Sequence, residues 1–555
     1  MKGEIFGMKL RGARILIEEL IRQGVDTVFG YPGGAVLNIY DELYQCRDRI
    51  HHVLTAHEQG AAHAADGFAR ASGKVGVVIA TSGPGATNLV TGIANAYLDS
   101  VPLVAITGNV ATEALGRDSF QEVDIVSITQ PVVKHNFMVK EVSELEQTIK
   151  EAFLIANSGR KGPVLIDIPK DVQVNECEYG VAVLPRMPEK AELPYDEEVA
   201  VKLLNEAKKP FIYAGGGIVS AGGEDYLREL AEKLNAPVAV SMMGRTVFPD
   251  SHPLSLGLVG MHGSYQAAKV QSECDLMIAV GVRFSDRATG NLSRYTKNCK
   301  VIHVDIDKAE LGKNLTPDCS VQANVKKWMK SILPKIKERK NPEWWKEIDS
   351  YQVVKNPKKD AFHPKNILDT VRKYTKDETV VATDVGQHQM WTAQYYRFEK
   401  PRTFLTSGGL GTMGYGLGAA IGACLAKDKA ETLLITSDGS FSMNCHELCT
   451  AVNEGLPITI VLLNNQVLGM VRQWQTAFFG ERYSATVLDR GTDFVKLIEA
   501  YGGKGFSIHK ISELEKALEE RKNIAGPVLL DCHIDKDEKV LPMIPPGKSV
   551  EEIIL

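Results

Sequence analysis

Short apolar runs recur along this chain, and most are followed by glycine or a small polar residue before a helical stretch begins. They are rich in valine, isoleucine and leucine, without the alternation of polar residues seen in half-exposed strands: KVGVVIATSG, PLVAITGN, GPVLIDIP, PFIYAGGG, LMIAVGV, KVIHVDID, TVVATDVG, TLLITSDG and ITIVLLNN. Strands of this kind are buried on both faces, as in parallel sheets covered by helices. The sequence therefore predicts a layered α/β protein.

Its length predicts several domains, because 555 residues exceed what one hydrophobic core usually supports. Two polar stretches that contain proline, residues 178–197 and 334–365, are typical of linkers. We therefore expect three domains, each with a mainly parallel sheet flanked by helices. They would span residues 8–180, 195–335 and 365–540, followed by a C-terminal tail, 541–555.

The charge and hydropathy of the chain limit the kinds of molecule that it is expected to bind. A formal net charge of -5 gives no basic field of the kind that nucleic acid or an anionic membrane surface requires. No window approaches the roughly 18 consecutive apolar residues of a membrane span, and the N-terminus has charges where a signal peptide would be apolar. We expect a cytoplasmic protein that binds small molecules or other proteins.

The cysteines give no sign of a metal centre. The nine cysteines are dispersed and form no CxxC pair, as expected for a reduced protein. Cys445, His446 and Cys449 lie close together, which raises the question of zinc. Their segment has helical periodicity and no second pair of ligands follows, so core packing is favoured over a zinc site.

Asp438 and Asn465 each follow a predicted buried strand, with one predicted helix between the strands. A right-handed strand-helix-strand crossover makes two such strands parallel, and if they are neighbours their tips lie on the same edge. A carboxylate and an amide oxygen there suit Mg²⁺, which completes its coordination with water and substrate phosphates. Taken alone, Asp438 is better explained as a helix cap and Asn465 as a turn residue, but the pair at this spacing favours a metal that holds a diphosphate.

The pattern D-G-S, followed about 26 residues later by N-N, resembles the signature of thiamine diphosphate enzymes, although Ser437 stands where that signature usually has glycine. The resemblance implies that Asp438, Asn465 and the backbone carbonyl of Val467 bind Mg²⁺. It also implies that Gly439 and Ser440 contact the diphosphate.

Glu58 is the candidate acid for the aminopyrimidine ring of the cofactor. It follows an apolar strand and opens an alanine-rich helix, an apolar setting that raises a carboxyl pKa. A glutamate in a first helical turn can equally be favoured by the helix dipole alone. The segment HEQGAAHAADGFARASGKVGVVIATSGPGATN is similar to the pyrimidine-binding domain of pyruvate-decarboxylating thiamine enzymes, which implies the catalytic role and an active site shared between two subunits.

Blocks spread over nearly the whole chain resemble biosynthetic acetolactate synthase (acetohydroxyacid synthase) catalytic subunits; they include FGYPGGAVLNIYD, DSFQEVDIVSITQPVVKHNF, GVRFSDRATG, GGLGTMGYGLGAA and LLNNQVLGMVRQWQ. One departure is Gly418, where the family usually has proline. The resemblance implies the thiamine diphosphate-binding, pyruvate-oxidase-like fold. It also implies that pyruvate is decarboxylated and its two-carbon unit joined to pyruvate or 2-ketobutyrate, for branched-chain amino acid synthesis.

The same resemblance implies roles for individual residues. Gln387, His388 and Met470 would bind the cofactor, Gly411 would accept from its 4′-amino group, and Met413 would hold it bent. The residues implied for the substrate channel from the first domain are Gly34, Phe120, Gln121 and Lys170. Arg287 and Trp474 would select the acceptor ketoacid, since a planar guanidinium suits a carboxylate, although both also read as ordinary surface and core residues.

The middle domain is where the resemblance implies FAD. Its glycine-rich loops do not spell GxGxxG after a strand, so the residues alone support only a generic nucleotide site. The positions implied for the flavin are Arg160, Gly215, Gly216, Met261, His262, Gly263, Gly281, Arg283, Asp286, Asp305 and Ile306.

Three other functions stay open: a flavin-dependent pyruvate oxidase, a FAD-free catabolic acetolactate synthase and a ligand sensor on the same fold. The Lys170, Arg287 and Trp474 set disfavours the oxidase, the GVRFSDRATG block disfavours the FAD-free enzyme, and the intact Glu58, Asp438 and Asn465 disfavour the sensor. A homodimer or homotetramer is expected, with 2-ketoacid substrates and room for a small regulatory subunit.

Overall fold

The computed structural model describes residues 7–180, 195–353 and 356–555. Three six-stranded sheets follow one another along the chain, and every paired strand within them runs parallel. Helices cover the sheets, so the predicted α/β class is confirmed. Most of the first predicted linker lies outside the described residues.

The first sheet has the order β3-β2-β4-β5-β7-β6, and an antiparallel pair, β1 with β8, lies beside it. The strands of this region are β1 (Met8–Arg11), β2 (Thr27–Tyr31), β3 (His51–Leu54), β4 (Gly76–Ala80), β5 (Leu103–Asn109), β6 (His135–Met138), β7 (Pro163–Pro169) and β8 (Glu176–Tyr179). Its helices are α1 (Gly12–Arg22), α2 (Leu37–Gln45), α3 (Glu58–Ser72), α4 (Pro84–Asn88), α5 (Val90–Leu98), α6 (Ile125–Thr129), α7 (Val142–Asn157) and α8 (Lys170–Val174).

The middle sheet has the order β11-β10-β9-β12-β13-β14. Its strands are β9 (Pro210–Ala214), β10 (Val238–Val240), β11 (Ser255–Leu258), β12 (Leu276–Val280), β13 (Lys300–Asp305) and β14 (Cys319–Gln322). The helices here are α9 (Glu197–Glu206), α10 (Gly216–Ala221), α11 (Glu224–Leu234), α12 (Tyr265–Glu273), α13 (Asp286–Thr289), α14 (Leu292–Tyr295), α15 (Val325–Ile332) and α16 (Pro342–Asp349).

The second predicted linker is more ordered than its prolines suggest, because it contains α16. Trp344 of this helix is 2% exposed and donates its indole N–H to the carbonyl of Pro210, at the start of β9. A buried aromatic side chain thus holds this part of the segment against the middle sheet.

The third sheet has the order β16-β15-β17-β18-β20-β19. Its strands are β15 (Val380–Thr383), β16 (Phe404–Leu405), β17 (Thr432–Thr436), β18 (Ile458–Asn464), β19 (Lys504–Ile508) and β20 (Val528–His533). Its helices are α17 (Pro364–Lys373), α18 (Gln387–Tyr395), α19 (Tyr415–Ala426), α20 (Asp438–Asn444), α21 (Leu448–Asn453), α22 (Gly469–Phe478), α23 (Phe494–Tyr501) and α24 (Ile511–Arg521).

Helices α3 and α19 join the first and third sheet regions at very close range. An ideal Cβ on Gly422 would lie 1.8 Å from the carbonyl oxygen of Ala64, and one on Gly67 would lie 2.2 Å from that of Ala419. At Gly418, an added Cβ would approach His63 to 2.8 Å. Small residues on both helices are therefore what lets the two backbones meet.

Within the described residues no helix combines the length and the apolar character that crossing a bilayer requires.

Candidate functional site

Asp438 and Asn465 lie at the same edge of the third sheet, as their spacing predicts. Strands β17 and β18 are parallel neighbours, with Thr436 opposite Leu462, so both residues follow adjacent strand ends. The Asp438 side chain is buried, and its Oδ1 has no hydrogen-bond partner within the described residues. Burial raises the pKa of Asp438 to about 6. A buried carboxylate oxygen without a partner suits a cation ligand.

The chain turns sharply after Asn465. Gln466 has a φ of +55°, and the Asn465 Oδ1 accepts a hydrogen bond from the Val467 N–H at 3.2 Å. The described residues contain no cluster of three or more His, Cys, Asp or Glu side chains able to hold a metal. A metal here would instead use one carboxylate, one amide oxygen and a backbone carbonyl, the oxygen ligands that Mg²⁺ accepts.

A cavity beside Asp438 is surrounded by three helix N-termini. It is lined by the starts of α18, α20 and α22 together with Met413; the lining residues include Gln387, His388, Ser440, Asn465, Val467 and Met470. Helix N-termini present free N–H groups and favour anions. The predicted diphosphate-binding residues of the third sheet region thus converge, with Gly439 following Asp438 in α20.

Gln387 and His388 are both buried, at 4% and 1% exposure. Gln387 accepts from the Asn465 Nδ2 at 3.3 Å and donates to the Gln473 Oε1 at 3.1 Å. The Nε2 of His388 has no partner within the described residues, and burial lowers the pKa of this ring to about 3. A neutral, buried imidazole with a free nitrogen can bond to a bound ligand.

Glu58 is the first residue of α3 and is half-buried. Its Oε2 accepts a hydrogen bond from the Asn88 Nδ2 at 3.0 Å, and an ideal Cβ on Gly85 would lie 3.2 Å from its Oε1. Among the described residues Glu58 forms no ion pair with lysine or arginine, and the apolar setting expected for it remains a prediction.

The other candidate residues of the first region also follow strand ends at one edge of its sheet. Gly34 follows β2, Lys170 follows β7, and Phe120 and Gln121 lie in the segment after β5. Gln121 has a φ of +58° and its backbone lies beside Gly83, at the start of α4. Phe120, at 87% exposure, is the most exposed large hydrophobic side chain among the described residues.

The cavity beside Asp438 is built from only one of these two groups of residues. Every residue that lines the cavity beside Asp438 belongs to the third sheet region, and Glu58 is not among them. Met413 lines this cavity, whereas Gly411, two residues earlier, has a φ of +74° and open space beside it.

Two of the loops that carry flavin candidates in the middle region approach each other closely. An ideal Cβ on Gly215 would lie 2.1 Å from the carbonyl oxygen of Gly281, so the loops after β9 and β12 can meet only through glycine. Gly216 begins α10, and Gly263 packs against the Leu258 carbonyl, 2.6 Å from an ideal Cβ. Such close backbone approach fits a nucleotide cradle.

Charged candidates border this cradle. Arg160 pairs with the Glu310 Oε1 at 3.0 Å, and burial raises the pKa of Asp305, at the end of β13, to about 6. His262 is buried with its Nδ1 unpartnered within the described residues. The remaining candidates are Met261, Arg283, Asp286 and Ile306, of which Asp286 and Ile306 are exposed.

Arg287 and Trp474 come from different sheet regions and meet. The Arg287 guanidinium carbon lies 5.6 Å from the centroid of the Trp474 ring, within the range of a cation–π contact. The Arg287 side chain is 61% exposed, and its Nε lies 3.6 Å from the Asp286 Oδ2.

Comparison with known proteins agrees with this geometry. The chain matches three thiamine pyrophosphate enzyme family models: the N-terminal TPP binding domain over residues 10–128, the central domain over 198–332 and the C-terminal TPP binding domain over 384–532. It is 44% identical over 563 residues to the acetolactate synthase large subunit of Buchnera aphidicola, covering 98% of each chain.

The chain belongs to the acetolactate synthase large-subunit family. It is 43% identical to the acetolactate synthase isozyme 3 large subunit of Escherichia coli K12, over 98% of both chains. It is also 44% identical to a probable acetolactate synthase large subunit of Methanocaldococcus jannaschii, over 98% of this chain and 95% of that one.

The sequence did not predict the roles of two residues that support the proposed active site. Glu447 is fully buried and accepts from the N–H groups of Ala56, at 3.1 and 3.2 Å, and of His57, at 3.0 Å, directly before Glu58. Asn88 holds Glu58 itself. Glu447 lies within the Cys445 to Cys449 segment. The one sequence signal that could have identified it is the presence of an acidic residue in an apolar helical stretch.

The expectation of core packing for that segment is only partly met. Cys445 is partly buried, whereas Cys449 is exposed. The helix breaks at residues 445–447 into a 3₁₀ turn, which rotates the following residues away from the pattern of one continuous helix.

Proposed function

We propose that this chain is the catalytic subunit of an acetolactate synthase that uses thiamine diphosphate, Mg²⁺ and FAD. The observation that carries the proposal is the buried, unpartnered Asp438 oxygen, next to a cavity that is lined by Ser437, Ser440, Asn465 and the starts of three helices. The donor set fits a hydrated Mg²⁺ bound to a diphosphate. Asp438, Asn465 and the Val467 carbonyl would hold the metal, and Gln387, His388, Gly439, Ser440 and Met470 the diphosphate end.

Thiamine diphosphate, when bound, supplies the nucleophilic carbon and the electron sink for decarboxylating a 2-ketoacid. Glu58 would hold a proton at the aminopyrimidine ring, Gly411 would accept from the exocyclic amino group, and Met413 would support the bent cofactor. All the residues that line the cavity beside Asp438 belong to the third sheet region, which supports an active site completed by the first region of a second copy of the chain.

For the substrates, Arg287 is suited to bind the acceptor carboxylate and Trp474 to contact its alkyl group. Gly34, Phe120, Gln121 and Lys170 would line the channel from the first region of the partner copy. The exposure of Phe120, at 87%, supports this assignment, because a second copy would cover the side chain. The products would be 2-acetolactate from two pyruvates, or 2-aceto-2-hydroxybutyrate when 2-ketobutyrate is the acceptor.

FAD would lie against the loops after β9, β11, β12 and β13, in contact with Arg160, Gly215, Gly263, Gly281 and Asp305. The close approach of Gly215 to Gly281 supports a backbone cradle for it. The relatives are named large subunits, so a smaller regulatory subunit is a further proposed partner. We propose a cytoplasmic homodimer or homotetramer as the working form.

The test is product analysis of purified protein with pyruvate, thiamine diphosphate and Mg²⁺ under argon, with and without FAD. Acetolactate that forms only with flavin supports the biosynthetic enzyme. Acetolactate formed without any flavin would indicate the FAD-free catabolic type. Bleached flavin with acetate or acetyl phosphate would instead identify a pyruvate oxidase.

A further inference from the structure

The loop 406–414 connects β16 to α19 and carries both Gly411 and Met413. Within one chain this loop is held from outside its own sheet, by side chains of α3 and α5 and of the residue that follows α5. The loop therefore offers a route by which the first sheet region sets the position of two proposed cofactor contacts.

Asp99, at the C-terminal end of α5, makes the central contacts. Its side chain is fully buried, its Oδ1 accepts from the Gly409 N–H at 2.7 Å, and its Oδ2 accepts from the Gly408 N–H at 3.0 Å. One carboxylate thus fixes two successive peptide groups just before Gly411. Charge-assisted bonds of this kind are about twice as strong as neutral ones.

Arg70, near the end of α3, completes the clamp. Its Nη2 donates to Asp99 at 2.9 Å, and its Nη1 donates to the carbonyl of Thr406 at 3.0 Å. The Arg70 Nε donates a hydrogen bond to the Asp66 Oδ1 at 2.6 Å. The same carboxylate oxygen also accepts a hydrogen bond from the Tyr415 hydroxyl at 2.7 Å. Both carboxylates are therefore paired, which is the condition for burying charge without a large penalty.

Asn95 of α5 reaches the far side of the loop. Its Oδ1 accepts from the Ser407 hydroxyl at 2.5 Å, and the Ser407 oxygen accepts from the Thr412 N–H at 2.9 Å. The segment from 406 to 412 is thus bonded on both sides of Gly411. Met413, the next residue, lines the cavity beside Asp438.

We propose that Asp99 is a positioning residue of the active site, which acts through Gly408 and Gly409 to place Gly411 and Met413 against thiamine diphosphate. The proposal rests on the proposed roles of Gly411 and Met413. A purely structural Asp99 would contribute only to the packing of the first sheet region on the third.

The decisive variant is Asp99→Asn, which keeps the size of the side chain but removes its charge and replaces one acceptor oxygen with an NH₂ group. Three quantities are measured on the purified full chain: kcat for pyruvate, the exchange rate of the C2 proton of bound thiamine diphosphate in D₂O, and the dissociation constant for thiamine diphosphate. We expect kcat and the exchange rate to fall at least tenfold together, and the dissociation constant to change less than threefold.

Glu18→Gln is the matched control. Glu18 is a nearly buried carboxylate that pairs with Arg14 and Arg49, both at 2.6 Å, and has no bond to the 406–414 loop. We expect this variant to lower the melting temperature without slowing the C2 proton exchange. If Asp99→Asn likewise lowers only the melting temperature, with exchange within twofold of wild type, the positioning role is wrong.

Gly409→Ala decides the question if Asp99→Asn does not fold. Its new Cβ would lie 2.9 Å from the Asp99 Oδ1, so the loop must move away from Asp99, and we expect exchange to slow by about threefold or more. Unchanged exchange in a folded Gly409→Ala protein would overturn the proposal. A wild-type protein that exchanges the C2 proton but makes no acetolactate would refute the proposed function and leave this comparison valid.

Discussion

The guanidinium of Arg287 lies over the indole ring of Trp474, 5.6 Å from its centroid, although the two residues belong to different sheet regions. Arg287 is further fixed through its backbone, since its carbonyl accepts from the Met261 N–H at 2.9 Å. A cation and an aromatic face in contact form a surface that can meet a carboxylate and an alkyl group together.

Replacing Trp474 with leucine is expected to reduce the preference for 2-ketobutyrate over pyruvate as acceptor. The indole would contact the extra methyl group of 2-ketobutyrate, and one methylene in an apolar pocket is worth roughly tenfold in discrimination. The ratio of the two products, measured by competition with both ketoacids present, reports this directly. An unchanged ratio would remove Trp474 from the acceptor site.

The variants Glu58→Gln and Asp438→Asn should each abolish acetolactate formation, and a mixed dimer of the two should regain it. In a shared-site dimer, one site of the mixed species carries both substitutions and the other carries neither, so activity should return to about half of wild type. The mixed dimer is isolated by tandem purification on two different tags. A mixed dimer with no activity would mean that both residues serve the same copy.

The buried carboxyl of Asp167 is expected to make the free energy of unfolding depend on pH. This carboxyl is fully buried and bonds to the Thr107 hydroxyl at 2.7 Å and the Asn109 Nδ2 at 2.6 Å. Burial raises its pKa to about 7, whereas the unfolded chain releases the proton near pH 4. The folded state binds the extra proton between these values, so this group makes the protein less stable as pH rises from about 4 to about 7.

Asp167→Asn should therefore stabilise the protein at pH 8, by on the order of 2 to 4 kcal/mol. The amide can keep both hydrogen bonds, because its NH₂ group can donate to the Thr107 hydroxyl while its oxygen accepts from Asn109. Urea unfolding at pH 8 and pH 4 tests this, with the difference expected to vanish at the lower pH. A variant that is less stable than wild type at pH 8 would contradict the prediction.

Gly422→Ala should destabilise the contact between α3 and α19. The new methyl group would lie 1.8 Å from the Ala64 carbonyl oxygen, so one helix must move, at a cost on the order of 2 kcal/mol or more. Gly223→Ala is the control, since its Cβ would meet first the flexible end of Met329 at 3.0 Å. The melting temperatures of the two variants are measured by thermal unfolding. Equal melting temperatures would show that α3 and α19 can move apart at little cost, which would contradict the prediction.

The sequence by itself determined the α/β class and the adjacency of Asp438 and Asn465. Both follow from local rules: buried parallel strands are continuous apolar runs, and a strand-helix-strand crossover places two strand ends on one edge. The roles assigned to individual residues from the family resemblance remain predictions. The expectation for the Cys445 to Cys449 segment was only partly correct, because a local break in the helix altered which side chains face inward.

Only the tertiary structure decided how distant segments support the site. Glu447 bonds to the backbone before Glu58, and Asp99 bonds to the loop before Gly411, across 390 and 309 residues of chain. No periodicity or motif marks such pairs, because each depends on how helices from different sheets pack, and that packing is set by close backbone contacts such as Gly422 against Ala64. Local sequence encodes the strands and helices, whereas contacts between them arise only when the whole chain is folded.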